Sequence, residues 1–258
     1  MVNAVVLGGG GVDARLAGFY DGPTKGLAPL AGRTSLDWVL DCLCDTEGVG
    51  RIALSGPAEL GDLPIAQRAD LFVPDTGSVV DKVLHAADAF ADGLKILMIG
   101  CDTPLATPQA LGTVIGACPE DCAVFHPVVP YETARAYCSA HLWTPLKLRG
   151  GTIVTTNVFL VGSQWLVQRR ELAKEIEGLR QHKWRLARRF GVGFLVRFAM
   201  GRLTLAQCEE HFSKLLGAPV RGFLCELPEL ALDLDRPDDA GLIEERLRAG
   251  AGAALTSG

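Results

Sequence analysis

The feature that most constrains this chain lies near its start, where an apolar run, Val5-Val6-Leu7, passes directly into four consecutive glycines, Gly8, Gly9, Gly10 and Gly11. Such a run reads as a buried strand. Glycines after it let backbone N–H groups approach an anionic ligand with no Cβ in the way. The expected result is the first strand of an α/β sheet with a phosphate cradle at its carboxyl end. Arg15 and Lys25 then add fixed positive charge, which suits a triphosphate better than a neutral ligand. Gly9, Gly11 and Ala14 also fit a dinucleotide fingerprint, with Asp37 as the ribose acid. Against that reading stands Asp21-Gly22-Pro23, which stops the helix a dinucleotide fold needs after its glycines.

A chain of 258 residues can bury a full core as one α/β domain, expected here over residues 1–248 with a flexible tail at 249–258. A net charge of −5 gives no global nucleic-acid footprint. No apolar stretch is long enough for a transmembrane segment, and the first strand lacks the basic flank of a signal peptide. Eight cysteines without zinc-type pairs read as buried free thiols in a reducing, cytoplasmic setting.

Along the chain, Thr34 and Asp37 have capping-box spacing ahead of an amphipathic helix to Leu43. Arg51–Leu54 and Leu71–Val73 read as short parallel strands, and Val80, Val83, Leu84 and Ala87 mark one face of a second helix. Lys95–Gly100 is the most strand-like segment, expected at the sheet centre. It ends in Asp102, at the edge where open α/β sheets bind ligands. A plain cap on the helix after Pro108 is the competing role for Asp102. Ala123–Val129 and Thr152–Val161 read as further strands, the second carrying Asn157, a polar residue that must find a partner or face a ligand. A helix at about 164–179 precedes a basic stretch with Arg180, Arg185, Arg188 and Arg189. Phe190–Met200 then reads as either a buried helix with a solvated basic face or an element resting on a membrane surface. Thr204–Leu216 is a capped helix, Gly222–Cys225 and Leu230–Leu234 are late strands, and Pro237 starts a final helix.

Three separated segments, Leu7–Gly11 through Lys25-Gly-Leu-Ala-Pro-Leu, Gly100-Cys-Asp-Thr-Pro-Leu, and Asp233-Leu-Asp-Arg-Pro-Asp-Asp, together resemble the nucleotidyltransferase superfamily, in particular its molybdenum-cofactor guanylyl- and cytidylyltransferase branch. The resemblance implies a three-layer α/β/α, glycosyltransferase-A-like, Rossmann-like fold with a mostly parallel sheet. It implies transfer of an NMP from an NTP to a small phosphorylated or hydroxyl acceptor, with Mg²⁺ and release of pyrophosphate. By resemblance, Lys25, Asp102 and Arg15 are catalytic, and Leu7, Gly8–Gly11, Lys25, Gly77 and Asp102 hold the nucleotide. Asp102 and Asp235 ligate the metal, with Asp235 favoured over Asp233, and Asn157 faces the acceptor. Residues 180–216 read as a helical addition on the acceptor side, where Arg185 and Arg189, spaced to share a helix face, are expected to contact an anionic acceptor. Departures from the family loop, with no Ser after the glycines and Lys25 far beyond Arg15, favour a silent nucleotide-binding module as one alternative; another is a sugar-nucleotide-dependent glycosyltransferase of similar fold, whose usual Asp-x-Asp at the end of the central strand is here Cys101-Asp102-Thr103.

Overall fold

A computed structural model describes residues 1–9, 16, 18–75, 77–179 and 188–256. The chain forms a nine-stranded sheet between helical layers. Strands β1 (Val2–Leu7), β4 (Val49–Gly56), β5 (Leu71–Pro74) and β6 (Lys95–Gly100) pair in parallel, in the order β5-β4-β1-β6. A small hairpin, β2 (Pro29–Leu30) and β3 (Arg33–Thr34), lies apart. The other half of the sheet holds β7 (Val124–Pro130), β8 (Leu146–Leu148), β9 (Gly151–Thr155), β10 (Val158–Val161) and β11 (Val220–Leu224), of which β9 and β10 run against the rest.

The parallel strands are buried on both faces because every second residue packs against a different helical layer. On the first face Ala4, Val6, Leu97 and Ile99 meet Leu36, Val39, Leu40 and Leu43 of α1 (Ser35–Asp45), together with Leu60 of the short α2 (Ala58–Gly61) and with α4 (Pro108–Ala117). On the second, Val5 and Ile96 meet Val83, Leu84 and Ala87 of α3 (Val79–Phe90), α6 (Ser163–Gln168) and α7 (Arg170–Leu179). The Thr34/Asp37 capping box forms, and Ser78 and Asp81 make another at the start of α3.

The second half departs from the sequence reading in four places. The segment expected as one strand over 152–161 is split, and both pieces lie against β7. Five residue steps from Thr155 to Leu160 face only three from Val128 to Phe125, so two extra residues bulge out around Asn157. Pro127 has no N–H to offer there, and its carbonyl accepts not from a strand N–H but from the buried Thr156 hydroxyl, at 2.9 Å. The helix expected at 164–179 is two helices, α6 and α7. The connection 130–149 carries α5 (Tyr131–Tyr137) and β8, elements the sequence reading left out. Finally, Leu230–Leu234 does not enter the sheet: a single 3₁₀ turn, Pro228–Leu230, leads into an extended segment held by isolated bonds.

Helix α8 (Val192–Ala199) has no buried residue, which rules out the buried-helix alternative for this stretch. Its Phe194 stacks on His211 of α9 (Leu205–Leu216), with ring centroids 3.7 Å apart. The last helix, α10, runs Pro237–Thr256, through much of the stretch read as a tail. Among the described residues no helix is long and apolar enough to cross a membrane.

Candidate functional site

The site sits where β6 loses its neighbour. Alongside β10 the strand is fully paired, but the bulge turns β9 away and opens a crevice beyond Gly100. Four backbone contacts shape its rim. Gly100 N donates to Asn157 O (3.2 Å), Cys101 N to Leu7 O (3.3 Å), Asn157 N to Leu230 O (3.0 Å) and Leu234 N to Asp102 O (3.0 Å). The glycine loop, the end of β6, the bulge and the late acidic segment are therefore tied together backbone to backbone.

At the glycine loop Gly8 admits no side chain, since a Cβ would stand 2.6 Å from the Ser55 carbonyl oxygen, while one on Gly9 would stand 2.2 Å from Asp75 Oδ2 and 2.7 Å from Lys82 Nζ and would displace those side chains. Asp75 and Lys82 form an ion pair of 2.6 Å beneath the loop, with Lys82 almost wholly buried. The loop's return is anchored by Thr24, whose buried hydroxyl donates to Gly8 O at 2.5 Å and accepts from Gly26 N. Gly26 then packs on Cys101, so the one-turn 3₁₀ helix Lys25–Leu27 starts at the crevice. This is what aims Lys25 inward.

Lys25 Nζ reaches Asp102 Oδ2 at 3.5 Å and makes a closer bond to Asp235. Asn157 Nδ2 donates to Asp233 Oδ2 at 2.9 Å. Single carboxylate oxygens of Asp102, Asp233 and Asp235 all lie within 4.8 Å of one another. The alternation explains how two acids from one segment converge: Leu232 and Leu234 bury completely under α10, so Asp233 and Asp235, pointing the other way, face the crevice. Asp239, in the first turn of α10, accepts from the N–H groups of Asp235 (3.2 Å) and Arg236 (2.8 Å) and contacts His141 Nδ1 at 2.8 Å. That triad of bonds holds the acidic segment in place.

The electrostatics are those of a site crowded with negative charge. Burial, with the charge of Asp102 beside it, pushes the Asp233 carboxyl up to about 6, against the pull of the Asn157 amide. Burial also raises Asp102, although Lys25 opposes it. For Lys25, burial works against the charge, but the bond to Asp235 and the surrounding carboxylates outweigh it and hold the amine above its ordinary value. Three carboxylates share one lysine. Hard oxygen donors in that surplus fit Mg²⁺ by donor type and by charge.

Of the residues singled out from the sequence, Leu7, Gly8, Gly9, Lys25, Asp102, Asn157 and Asp235 converge on this crevice. Asp233 joins them, so both late acids belong to the cluster. Asp102 does not cap a helix, since Thr107 caps α4, and Asp37 is spent on its capping box and on Arg68, which ends the ribose-acid reading. Gly77 lies in the turn ahead of the Ser78 cap, two residues beyond Asp75. Arg189 is exposed and pairs with Glu175 at 3.5 Å, not with the acids of the crevice. Gly10, Gly11, Arg15 and Arg185 lie outside the described residues. The sequence reading passed over Asp75, Lys82, Asp239 and His141. Asp75 could have been found, because it directly follows a parallel strand at the ligand-binding edge.

The glycine turn at Gly8 and Gly9, an inward lysine and an aspartate ending the central strand form one crevice, and residues 4–191 match the family model of the MobA-like NTP transferase domain. The chain belongs to this family. A hypothetical transferase from Thermus thermophilus is 29% identical and superposes with a TM-score of 0.82 over 93% of this chain and 99% of that one. CMP:2-keto-3-deoxy-manno-octonic acid synthetase, solved with CTP, shares the fold at 12% identity and a TM-score of 0.59, over 98% of this chain and all of that one. So does the 2-C-methyl-D-erythritol 4-phosphate cytidylyltransferase of Thermus thermophilus, at 18% identity and a TM-score of 0.53, over 95% and 98% of the two chains. No curated protein sequence matches the chain.

Proposed function

We propose that this protein transfers a nucleoside monophosphate from an NTP to a phosphorylated or hydroxyl acceptor, with release of pyrophosphate. The observation that carries the reading is Lys25 held between Asp102 and Asp235 at the open end of the central strand, directly beside the glycine loop. An oxygen of the acceptor bonds to the α-phosphorus while the bond from that phosphorus to the bridging oxygen breaks and the electron pair leaves with pyrophosphate. The protein forms no covalent bond in this scheme; it positions the reactants and offsets charge.

The roles divide by position. The loop Gly8 to Gly11, with Arg15, receives the triphosphate on backbone N–H groups beyond that of Gly8, which donates to Ser55 O at 2.6 Å, and Gly77 lies toward the nucleobase. Lys25 neutralises charge that builds on the phosphates. Asp102 and Asp235, with Asp233, would hold Mg²⁺, which when bound supplies Lewis-acid polarisation of phosphate oxygens. Asn157, on the bulge, orients the acceptor. All eight cysteines are free, which fits a reducing, cytoplasmic setting, although only six are buried as expected: Cys44 is exposed and Cys118 half-buried. A screen of pyrophosphate release with each NTP, Mg²⁺ and a panel of phosphates and alcohols tests the reading. Release that requires both NTP and acceptor supports it, and tight NTP binding without turnover across the panel overturns it.

A further inference from the structure

The two faces of the central strand are filled differently. On the first face Leu97 and Ile99 are completely buried, whereas on the second Met98 is only half-buried, as are Leu7 and Phe159 on the flanking strands. The space between that second face and the helices above it is a cleft of about 590 Å³. Protein interiors rarely leave voids larger than a water molecule, and this volume falls in the roughly 300–1,000 Å³ range of small-molecule sites.

Among the described residues its walls are largely apolar, with Met98, Phe159 and Val161 on the sheet side and Val80, Val83 and Ile176 on the helical side, where Glu177 also lines it. Its mouth is polar. Gly9, Gly100, Asp102 and Asn157 line that end, so the cleft opens into the crevice of the carboxylates. Along β10 the wall is lined by Phe159 and Val161, and Asn157, on the bulge that precedes the strand, stands at the polar end.

Polar bonds at the edges hold the cleft open. Helix α7 lies antiparallel to α3 and is tied to it at three levels: Arg170 to Asp88 (3.4 Å), Lys174 to Asp81 (2.7 Å), and Glu177, whose carboxylate accepts from Val79 N (2.8 Å) and Val80 N (3.0 Å). Between these ties Ala173 faces the cleft with a single methyl group, so the helix is fixed over a space that its side chains do not fill. His126, stacked on Phe159 from β7, is kept neutral by burial and adds no charge to this region.

We propose that the acceptor is amphiphilic: an alkyl- or isoprenoid-type body occupies this cleft and presents its phosphate or hydroxyl head to Asn157 and the carboxylate cluster. This rests on the nucleotidyl-transfer reading and names its acceptor class. The tail binds by burial of apolar surface alone, while the head, in the crevice, receives the nucleotidyl group.

Calorimetric titration of the whole protein with n-butyl, n-hexyl and n-octyl phosphate, each as a monomeric solution, tests the tail site without turnover. Affinity is expected to rise about four-fold per methylene. Ala173→Phe, which fills the cleft, should flatten that series and leave NTP affinity unchanged; Val80→Phe, nearer the open side, serves if the first variant does not fold. Affinity independent of chain length, or alkyl phosphates that displace NTP, would overturn the proposal, the second outcome by giving the cleft to the nucleobase. A parallel assay follows pyrophosphate release with octyl phosphate, octanol and a short polar phosphate. Nucleotidylation of the short polar phosphate, with octyl phosphate neither bound nor used, leaves the transfer reading intact and removes the amphiphile. Chain-length-dependent binding with no pyrophosphate from any NTP instead removes the transfer reading, and the acceptor role with it.

Discussion

The carboxylates of the crevice are held in two different ways. Asp102 follows a strand paired along its length to β1 in parallel and over Ile96–Ile99 to β10 in antiparallel, and its position is therefore set by ladders of backbone bonds. Asp233 and Asp235 lie on an extended segment outside any sheet, held by two buried leucines, by Leu234 N on Asp102 O, and by the side chains of Asn157 and Asp239. A ladder distributes strain over many bonds, while a tether fails when one bond is removed. The two kinds of support should thus respond differently to substitution.

The comparison is sharpest at Asp102. Asp102→Asn should lower turnover by about a thousand-fold, the upper end for loss of one electrostatic contact to the reacting phosphates. Its melting temperature should stay near that of wild type, because the strand ladder does not use the side chain. Retained turnover in a pyrophosphate-release assay would remove Asp102 from the chemistry.

Lys25 joins the two supports, since it contacts both Asp102 and Asp235. Lys25→Ala is expected to reduce kcat/KM by about a hundred-fold and to weaken NTP binding, as a charge that neutralises phosphate acts in ground and transition states alike. Unchanged NTP affinity by calorimetry together with an unchanged rate would make it a structural lysine only.

Acid separates the two halves of the sheet. Burial holds His126, on β7, down to about 4 in the folded protein, below its ordinary value near 6.5. The folded state therefore binds fewer protons than the unfolded one between these values. Stability contributed by neutral His126 is complete above about 6.5 and is lost as pH falls toward 4, by a total on the order of 3 kcal/mol. Hydrogen-exchange protection, taken relative to the intrinsic rate at each pH, should fall across that range in β7 and β10 before β1 and β6, and His126→Leu should remove this contribution. An equal fall in both halves would show that the halves are not supported separately.

The tether itself is tested at Asp239, which positions Asp235 without reaching the reacting groups. Asp239→Asn keeps the shape but cannot accept from every present donor, and should weaken apparent Mg²⁺ affinity about ten-fold, as loss of an outer partner does. Raising Mg²⁺ should restore the rate, which a general loss of folding would not allow. Smallest of all is Arg189→Gln: an exposed arginine paired with Glu175 should change acceptor KM less than about two-fold. A ten-fold rise would bring this arginine to the acceptor after all.

The division between ladder and tether is also the division in what could be read from residues alone. Strands β1, β4, β5 and β6 and helices α1 and α3 follow from local signals: apolar runs bounded by Gly or Pro, capping boxes, and apolar side chains at helical spacing. Asp102 was legible because it ends such a strand. Beyond Val124 the signals conflict. An apolar run from Thr152 to Val161 looks like one strand, yet it bulges at Asn157, because the partner strand carries Pro127 and lacks the N–H a continuous ladder would use. Leu230–Leu234 alternates like a strand, but Leu232 and Leu234 are buried by α10 and its backbone finds only isolated partners.

By itself the sequence determined the α/β class, the family resemblance, the parallel half of the sheet, and the chemistry available at its edge: glycines, one lysine and several aspartates. Those are properties of short stretches, whose backbone preferences and burial patterns act over a few residues. Which acids meet, what supports them and what lies beneath them were decided by tertiary structure. Lys25 and Asp235 are 210 residues apart in the chain, and no local preference encodes their bond. The apolar cleft exists for the same reason, since it is the space left between a sheet face and two helices tied at their rims, and it belongs to no single segment of the chain.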